Sequence, residues 1–137
     1  MPAPNAEEIR ALITQHVELW NAGDKDAWLG AWQAALPGGV SMEDPVGTPV
    51  KRGWDLLAEA WDASPNKDWK LSIDRLIVCG NESAAVIRNE GSIAGTPITV
   101  ISIEISQFGE DGSVHTKTYW EAPEGGTGYA EWTATTS

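Results

Sequence analysis

Asp44 is the residue that most invites a chemical reading. The alternation Val40-Ser41-Met42-Glu43-Asp44 has the period of a strand and sets Val40, Met42 and Asp44 on one face. A carboxylate among apolar neighbours is costly unless it is paired or used. Desolvation would lift its pKa towards the range in which a carboxylate works as a general base near neutral pH. The competing role is local: the strand ends earlier and Asp44 caps the turn at Pro45. His16 is the second such residue. Ile9, Leu12, Ile13, His16 and Trp20 recur at helical spacing, so His16 interrupts an apolar stripe. A core histidine satisfied by a backbone carbonyl would fit the same place. Glu104 is the third. The run from Val100 to Ser106 splits into an Ile101/Ile103/Ile105 face and a Val100/Ser102/Glu104/Ser106 face. Helices must cover one of them, and Val100, Phe108, Val114 and Trp120 could belong with Glu104 on the covered side; periodicity alone leaves both faces open.

The elements that would position these residues are legible from their punctuation. Asn5 with Glu8 forms a capping-box pattern for a first helix, which Asn21-Ala22-Gly23 stops. Asp24 caps a shorter helix whose apolar side carries Trp28, Leu29 and Trp32, and Pro37-Gly38-Gly39 breaks it. The strand at 40–44 follows. A third helix is expected from about Gly53 to Ala63, with Trp54, Leu57, Ala58 and Trp61 on its apolar side and Pro65-Asn66 closing it. Strands then follow at Trp69–Ile73, Leu76–Cys79 after a bend, Ser83–Ile93, Ile98–Phe108 and Val114–Glu121, the last two joined by a hairpin at Gly109-Glu110-Asp111-Gly112. Three helices before a strand meander imply an α+β fold with helices over one side of an antiparallel sheet. One domain is expected over 1–137, with its body at about 6–122 and a Gly-rich, flexible tail at 123–137 from which Tyr129 and Trp132 could dock.

Composition narrows the partners. Nine Lys+Arg against twenty Asp+Glu give a net charge of -11, which disfavours phosphate backbones and anionic lipid surfaces, so neither nucleic acid nor membrane is expected. Cys79 is the only cysteine and reads as a small buried hydrophobe in Leu76-Ile77-Val78-Cys79; no intrachain disulfide or cysteine metal cluster can form. Two histidines without motif spacing imply no metal site. No leader pattern or apolar run of membrane length is present, so a cytoplasmic location is expected. Eight Trp beside two Tyr and one Phe suit an apolar pocket or an interface, with a Trp-heavy core as the alternative.

Three segments carry a resemblance to a known family: Val17-Glu18-Leu19-Trp20-Asn21-Ala22-Gly23-Asp24, then Met42-Glu43-Asp44-Pro45-Val46-Gly47, then Phe108 to Trp120. Together they resemble the ketosteroid isomerase branch of the NTF2-like/SnoaL-like superfamily, over roughly residues 8–121. The resemblance implies a cone in which a curved antiparallel sheet wraps a long helix and encloses an apolar cavity. It also implies a homodimer through the outer sheet face, where Ile101, Ile103 and Ile105 would lie. In those isomerases the Asp of the Glu-Asp-Pro motif moves a proton on the steroid, and Asp44 stands at that position. A Tyr on the first helix and a protonated Asp on a late strand donate to the dienolate oxygen; these enzymes are the standard illustration of a carboxylic acid held neutral by an apolar site. Here those positions hold His16 and Glu104. Trp61 stands where some members carry a supporting Tyr, and Trp120 matches a pocket-lining Trp.

The expectation is a steroid delta-isomerase-like enzyme acting on an apolar unsaturated ketone without a cofactor. Asp44 is its base and His16 and Glu104 are its enolate donors; Trp20, Trp32, Trp61, Trp120, Met42 and Val100 line the substrate pocket. If His16 were protonated and Glu104 ionised, the two would pair and no neutral acid would remain. The alternatives are a SnoaL-like polyketide cyclase using the same carboxylate with a His, and a non-catalytic protein binding a steroid or polyketide-like molecule. An epoxide hydrolase would need an Asp–Arg–Asp set, for which Arg75 and Arg88 are the strand arginines available.

Overall fold

A computed structural model describes residues 3–63, 69–93 and 95–121. The expected helix stop at Pro65-Asn66 and the tail at 123–137 with Tyr129 and Trp132 lie outside the described residues. Helix α1 spans Ala6–Ala22 and starts where the capping box places it. The Asn5 side chain accepts from the Glu8 N–H at 2.9 Å, and Glu8 Oε1 accepts from the Asn5 N–H at 3.1 Å. It ends at Gly23, whose φ of 73° is left-handed and whose N–H caps the Trp20 carbonyl. Asp24 then caps α2, Lys25–Ala35, through the Ala27 N–H. Helix α3 runs Trp54–Ala63. No helix among the described residues is long and apolar enough to cross a membrane.

Six strands make one curved, unclosed sheet: β1 Gly39–Glu43, β2 Lys51–Arg52, β3 Lys70–Cys79, β4 Glu82–Ile93, β5 Thr96–Phe108 and β6 Ser113–Tyr119, in the order β2-β1-β6-β5-β4-β3. The fold is thus α+β, three helices on one sheet, as the punctuation implies. The sheet departs from an all-antiparallel one at a single seam, because β1 pairs with β6 in parallel. The chain leaves β1, crosses through β2 and α3, runs the meander, and returns beside β1 in the same direction. Strand β2 has two residues, too few to show a period, and was not expected.

Strand β3 is continuous, with a register irregularity between Ile73 and Arg75 in place of a break. The extra residue changes the phase. Leu71 and Ile73, then Leu76 and Val78, pack against the core, while Ile77 is half exposed and Cys79 faces outward. The reading of Cys79 as a buried hydrophobe is therefore corrected; it belongs to the outer face. The core is Ile9, Ile13 and Val17 of α1 against Leu36, Ala85, Ile87, Phe108 and Val114.

Helix α1 runs antiparallel along β3. Arg10 donates to the Leu76 carbonyl at 3.4 Å, while Asn21 exchanges two bonds with the Leu71 backbone, of 2.7 and 2.8 Å. The helix rises ~16 Å between Arg10 and Asn21 and the strand advances ~16 Å between Leu76 and Leu71. His16, about midway, is therefore held level with Ile73.

Candidate active site

The strand register brings two of the three expected residues onto one rung. Glu43, the last residue of β1, pairs with Lys117, so Asp44 comes level with Thr118, whose carbonyl accepts the Val46 N–H at 2.9 Å. Thr118 pairs with Glu104, and Glu104 with Ala85. Ala85 and Thr118 are both buried, which fixes Glu104 on the helix-covered face and settles what periodicity left open. Two strand spacings, ~10 Å, separate the backbones of Asp44 and Glu104, a gap their side chains narrow from both sides.

The two carboxyls have different company. The Trp120 indole N–H donates to Asp44 Oδ1 at 3.0 Å. Lys51 pairs with Met42 across β1 and β2 and so shares its face; it is only 4% exposed, and its Nζ donates to the Asp44 carbonyl at 3.3 Å. Burial pushes the Asp44 carboxyl above the ordinary carboxylate range, while the Trp120 bond and the Lys51 charge hold it back. Burial, reinforced by the negative charge of Asp44, raises Glu104 to about 7. Only Asp44 has a donor and a cation stabilising its charge. Of the two carboxyls, Glu104 is the one whose surroundings favour the proton, because it lacks the donor and the cation that Asp44 has.

His16 has its protonation state set by two tryptophans. The indole N–H groups of Trp28 and Trp32 both point at Nδ1, each at 2.7 Å. An indole nitrogen can only donate, so Nδ1 must present its lone pair and cannot carry a proton. The imidazole is neutral and its proton sits on Nε2. Burial acts in the same direction, lowering His16 to about 4. No acceptor among the described residues takes the Nε2 proton. With its Nδ1 lone pair taken by two indoles, His16 cannot be the cation of the His16–Glu104 ion pair weighed above. Wild-type protein should show a single Nε2–H tautomer by nitrogen NMR across neutral pH. Replacing both tryptophans, Trp28→Phe with Trp32→Phe, frees Nδ1 and should mix the tautomers, while burial continues to hold the His16 pKa low. A wild-type proton on Nδ1 would defeat this reading.

The remaining residues divide between two places. Trp20, Trp28 and Trp61 form a three-ring cluster where α1, α2 and α3 meet, with centroids 4.7–5.6 Å apart, and Trp28 and Trp32 flank His16. The Trp20 N–H is occupied by the Trp69 carbonyl at 3.1 Å. The helix-side tryptophans therefore brace His16 and one another. Met42 lies beside Lys51 and Thr116, next to the Asp44 rung. Trp120 and Val100 line an open groove of about 660 Å³ with Pro45, Val46, Ile101 and Tyr119. Asp44, His16 and Glu104 do not line that groove; Pro45 and Trp120 connect it to Asp44. Arg75 and Arg88 belong to the outer face: Arg75 is exposed, and Arg88 pairs with Asp74 at 3.1 Å. They assemble no Asp–Arg–Asp set with Asp44.

Two members of this constellation escaped the sequence reading. Lys51 sits in a strand too short to have a pattern. Trp28 was placed on the apolar side of its helix, but only the packing of α2 on α1 shows that its N–H reaches His16.

Residues 13–117, most of the chain, match the SnoaL-like domain, and the chain belongs to that family within the NTF2-like/SnoaL-like superfamily. Comparison with curated proteins gives no match. Among solved structures, the epoxide hydrolase/cyclase-like enzyme SalBIII, of pyran ring formation in the polyether salinomycin, is 15% identical with a TM-score of 0.67, over 85% of this chain and 93% of its own. A protein of Kribbella flavida DSM 17836 named as a ketosteroid isomerase is 19% identical, with a TM-score of 0.67 over 85% of this chain and 80% of its own. One from Jannaschia sp. CCS1 named as a SnoaL-like polyketide cyclase is 17% identical, with a TM-score of 0.58 over 79% and 86%. At these identities the likeness is one of fold.

Proposed function

We propose that this protein is an isomerase-like enzyme that moves a proton on an apolar unsaturated ketone of the steroid class. Asp44 removes the proton from the carbon next to the carbonyl, and the electron pair moves onto oxygen. The Glu104 carboxylic acid and the His16 Nε2–H donate to that oxygen, and Asp44 returns the proton further along the conjugated system. The observation that carries this reading is the split of one partly buried carboxyl pair, with Trp120 and Lys51 on Asp44 and nothing comparable on Glu104. Donors fixed before the reaction need no reorganisation as charge develops, and one such donor is worth ~10²–10³ in rate. The test is conversion of an unconjugated steroid enone to its conjugated isomer, followed by ultraviolet absorbance; no conversion by wild-type protein rejects the reading.

The SnoaL-like family match favours a second reading, a ring-closing polyketide cyclase in which Asp44 generates an enolate that attacks a carbonyl of the same chain. Steroid binding without turnover, together with cyclisation of a poly-β-ketone, would select it. Binding with neither reaction would leave an apolar-ligand-binding protein.

We also propose that two copies pair through the outer sheet face. Ile77, Ile101, Ile103 and Tyr119 are 50%, 45%, 43% and 44% exposed there, an apolar surface unusual for a monomer. Ile103→Asp places a charge in its middle and should give a monomer by sedimentation; an unchanged species would reject this interface.

A further inference from the structure

The helix-covered face carries polar groups well away from Asp44 and Glu104. Along β4, Ser83, Ala85, Ile87, Asn89 and Gly91 share that face, and Asn89 pairs with Val100 of β5. Its Nδ2 donates to the Val100 carbonyl and to Ser102 Oγ, each at 3.0 Å, and to the Ile87 carbonyl at 3.2 Å. Carbonyls only accept, so the amide cannot be turned round; Oδ1 must point away from them. No donor among the described residues reaches that oxygen. The Val100 rung lies ~13 Å along β5 from Glu104, a span that several fused rings would bridge. Near it is a second unmet group. Trp69, level with Gly91, packs its ring where a Cβ on Gly91 would come within 2.7 Å, and its buried indole N–H has no acceptor among the described residues.

From these positions we infer that Asn89 is a specificity-determining residue. Its Oδ1 accepts from a hydroxyl at the end of the substrate opposite the reacting carbonyl. The substrate class is then an elongated, rigid, apolar ketone with a hydroxyl at its far end. A ketone in the same place would set two acceptors against each other. An unsubstituted ring would leave the amide oxygen buried without a partner, at a cost close to that of a lost hydrogen bond. The inference rests on the proposed orientation, with the reacting carbonyl at Glu104 and His16.

Testosterone and androstenedione provide the probes, since they share the enone and differ in a hydroxyl or a ketone at the far ring. By calorimetry, wild-type protein should bind testosterone about fivefold to tenfold more tightly. Asn89→Leu, which removes the acceptor, should bring the two affinities together. The wild-type comparison needs no variant to fold. Equal wild-type affinities, no binding of either steroid, or a preference that persists in Asn89→Leu would each overturn the inference. The catalytic reading is decided separately by turnover in wild-type and Asp44→Asn protein, so a failure of one does not register as a failure of the other.

Discussion

Asp44→Asn is expected to lower kcat/KM on a steroid enone by about 10²–10⁴-fold, the range that general-base catalysis contributes. The substitution keeps the shape of the side chain, and an amide oxygen still accepts from the Trp120 indole. The loss should therefore fall on proton transfer and not on the fold. A second consequence is electrostatic and needs no substrate. Glu104 is raised to about 7 partly by the negative charge of Asp44, so removing that charge should lower the Glu104 pKa, as read by carboxyl NMR titration. Burial remains, so the value should stay above the ordinary Glu range. Turnover undiminished in Asp44→Asn would end the role of Asp44 as base. An unmoved Glu104 would show that the two carboxyls are not coupled.

That coupling marks the boundary of what the chain discloses before it folds. Asp44 was legible because strand alternation put a carboxylate in line with Val40 and Met42, and the Glu-Asp-Pro piece pointed the same way. β1 ends at Glu43, so Asp44 lies just past the strand, as the competing reading held, yet it still comes level with Thr118. Glu104 was legible as a member of one of two faces, but which face the helices cover depends on registers with β4 and β6, which are contacts across the chain. Alternation fails where a strand gains a residue: the irregularity after Ile73 turned Cys79 outward against expectation. It also fails where a strand is too short, as with Lys51, a buried cation that a loop-like stretch gave no reason to expect. His16 was visible as a break in an apolar stripe, whereas its tautomer was not. The two indole N–H groups that set it come from another helix.

Glu104→Gln should stabilise the protein at alkaline pH while removing a limb of its pH profile. In the folded state the Glu104 pKa lies above its unfolded value of 4.5, at about 7. The stability that this group contributes is complete below 4.5 and is lost as pH rises through about 7, by a total of ~3 kcal/mol. The wild-type stability curve will not display this directly. His16 is shifted the opposite way, from 6.5 to about 4, so its contribution is present above 6.5 and is lost as pH falls through about 4. Between 4.5 and 6.5 the two slopes oppose each other and nearly cancel. The difference between Glu104→Gln and wild type isolates the carboxyl. In denaturant unfolding it should change little below pH 4.5, grow through the neutral range and level off near ~3 kcal/mol in favour of the variant above pH 8. The same substitution replaces a titrating O–H donor with an N–H donor that does not titrate. Wild-type kcat should fall above about pH 7 as Glu104 ionises, and Glu104→Gln should hold its lower rate flat across that range, short of the ~10²–10³ loss of a deleted donor. A stability difference that does not vary with pH would place an ionised Glu104 in the native state, and the acid would have to be found elsewhere.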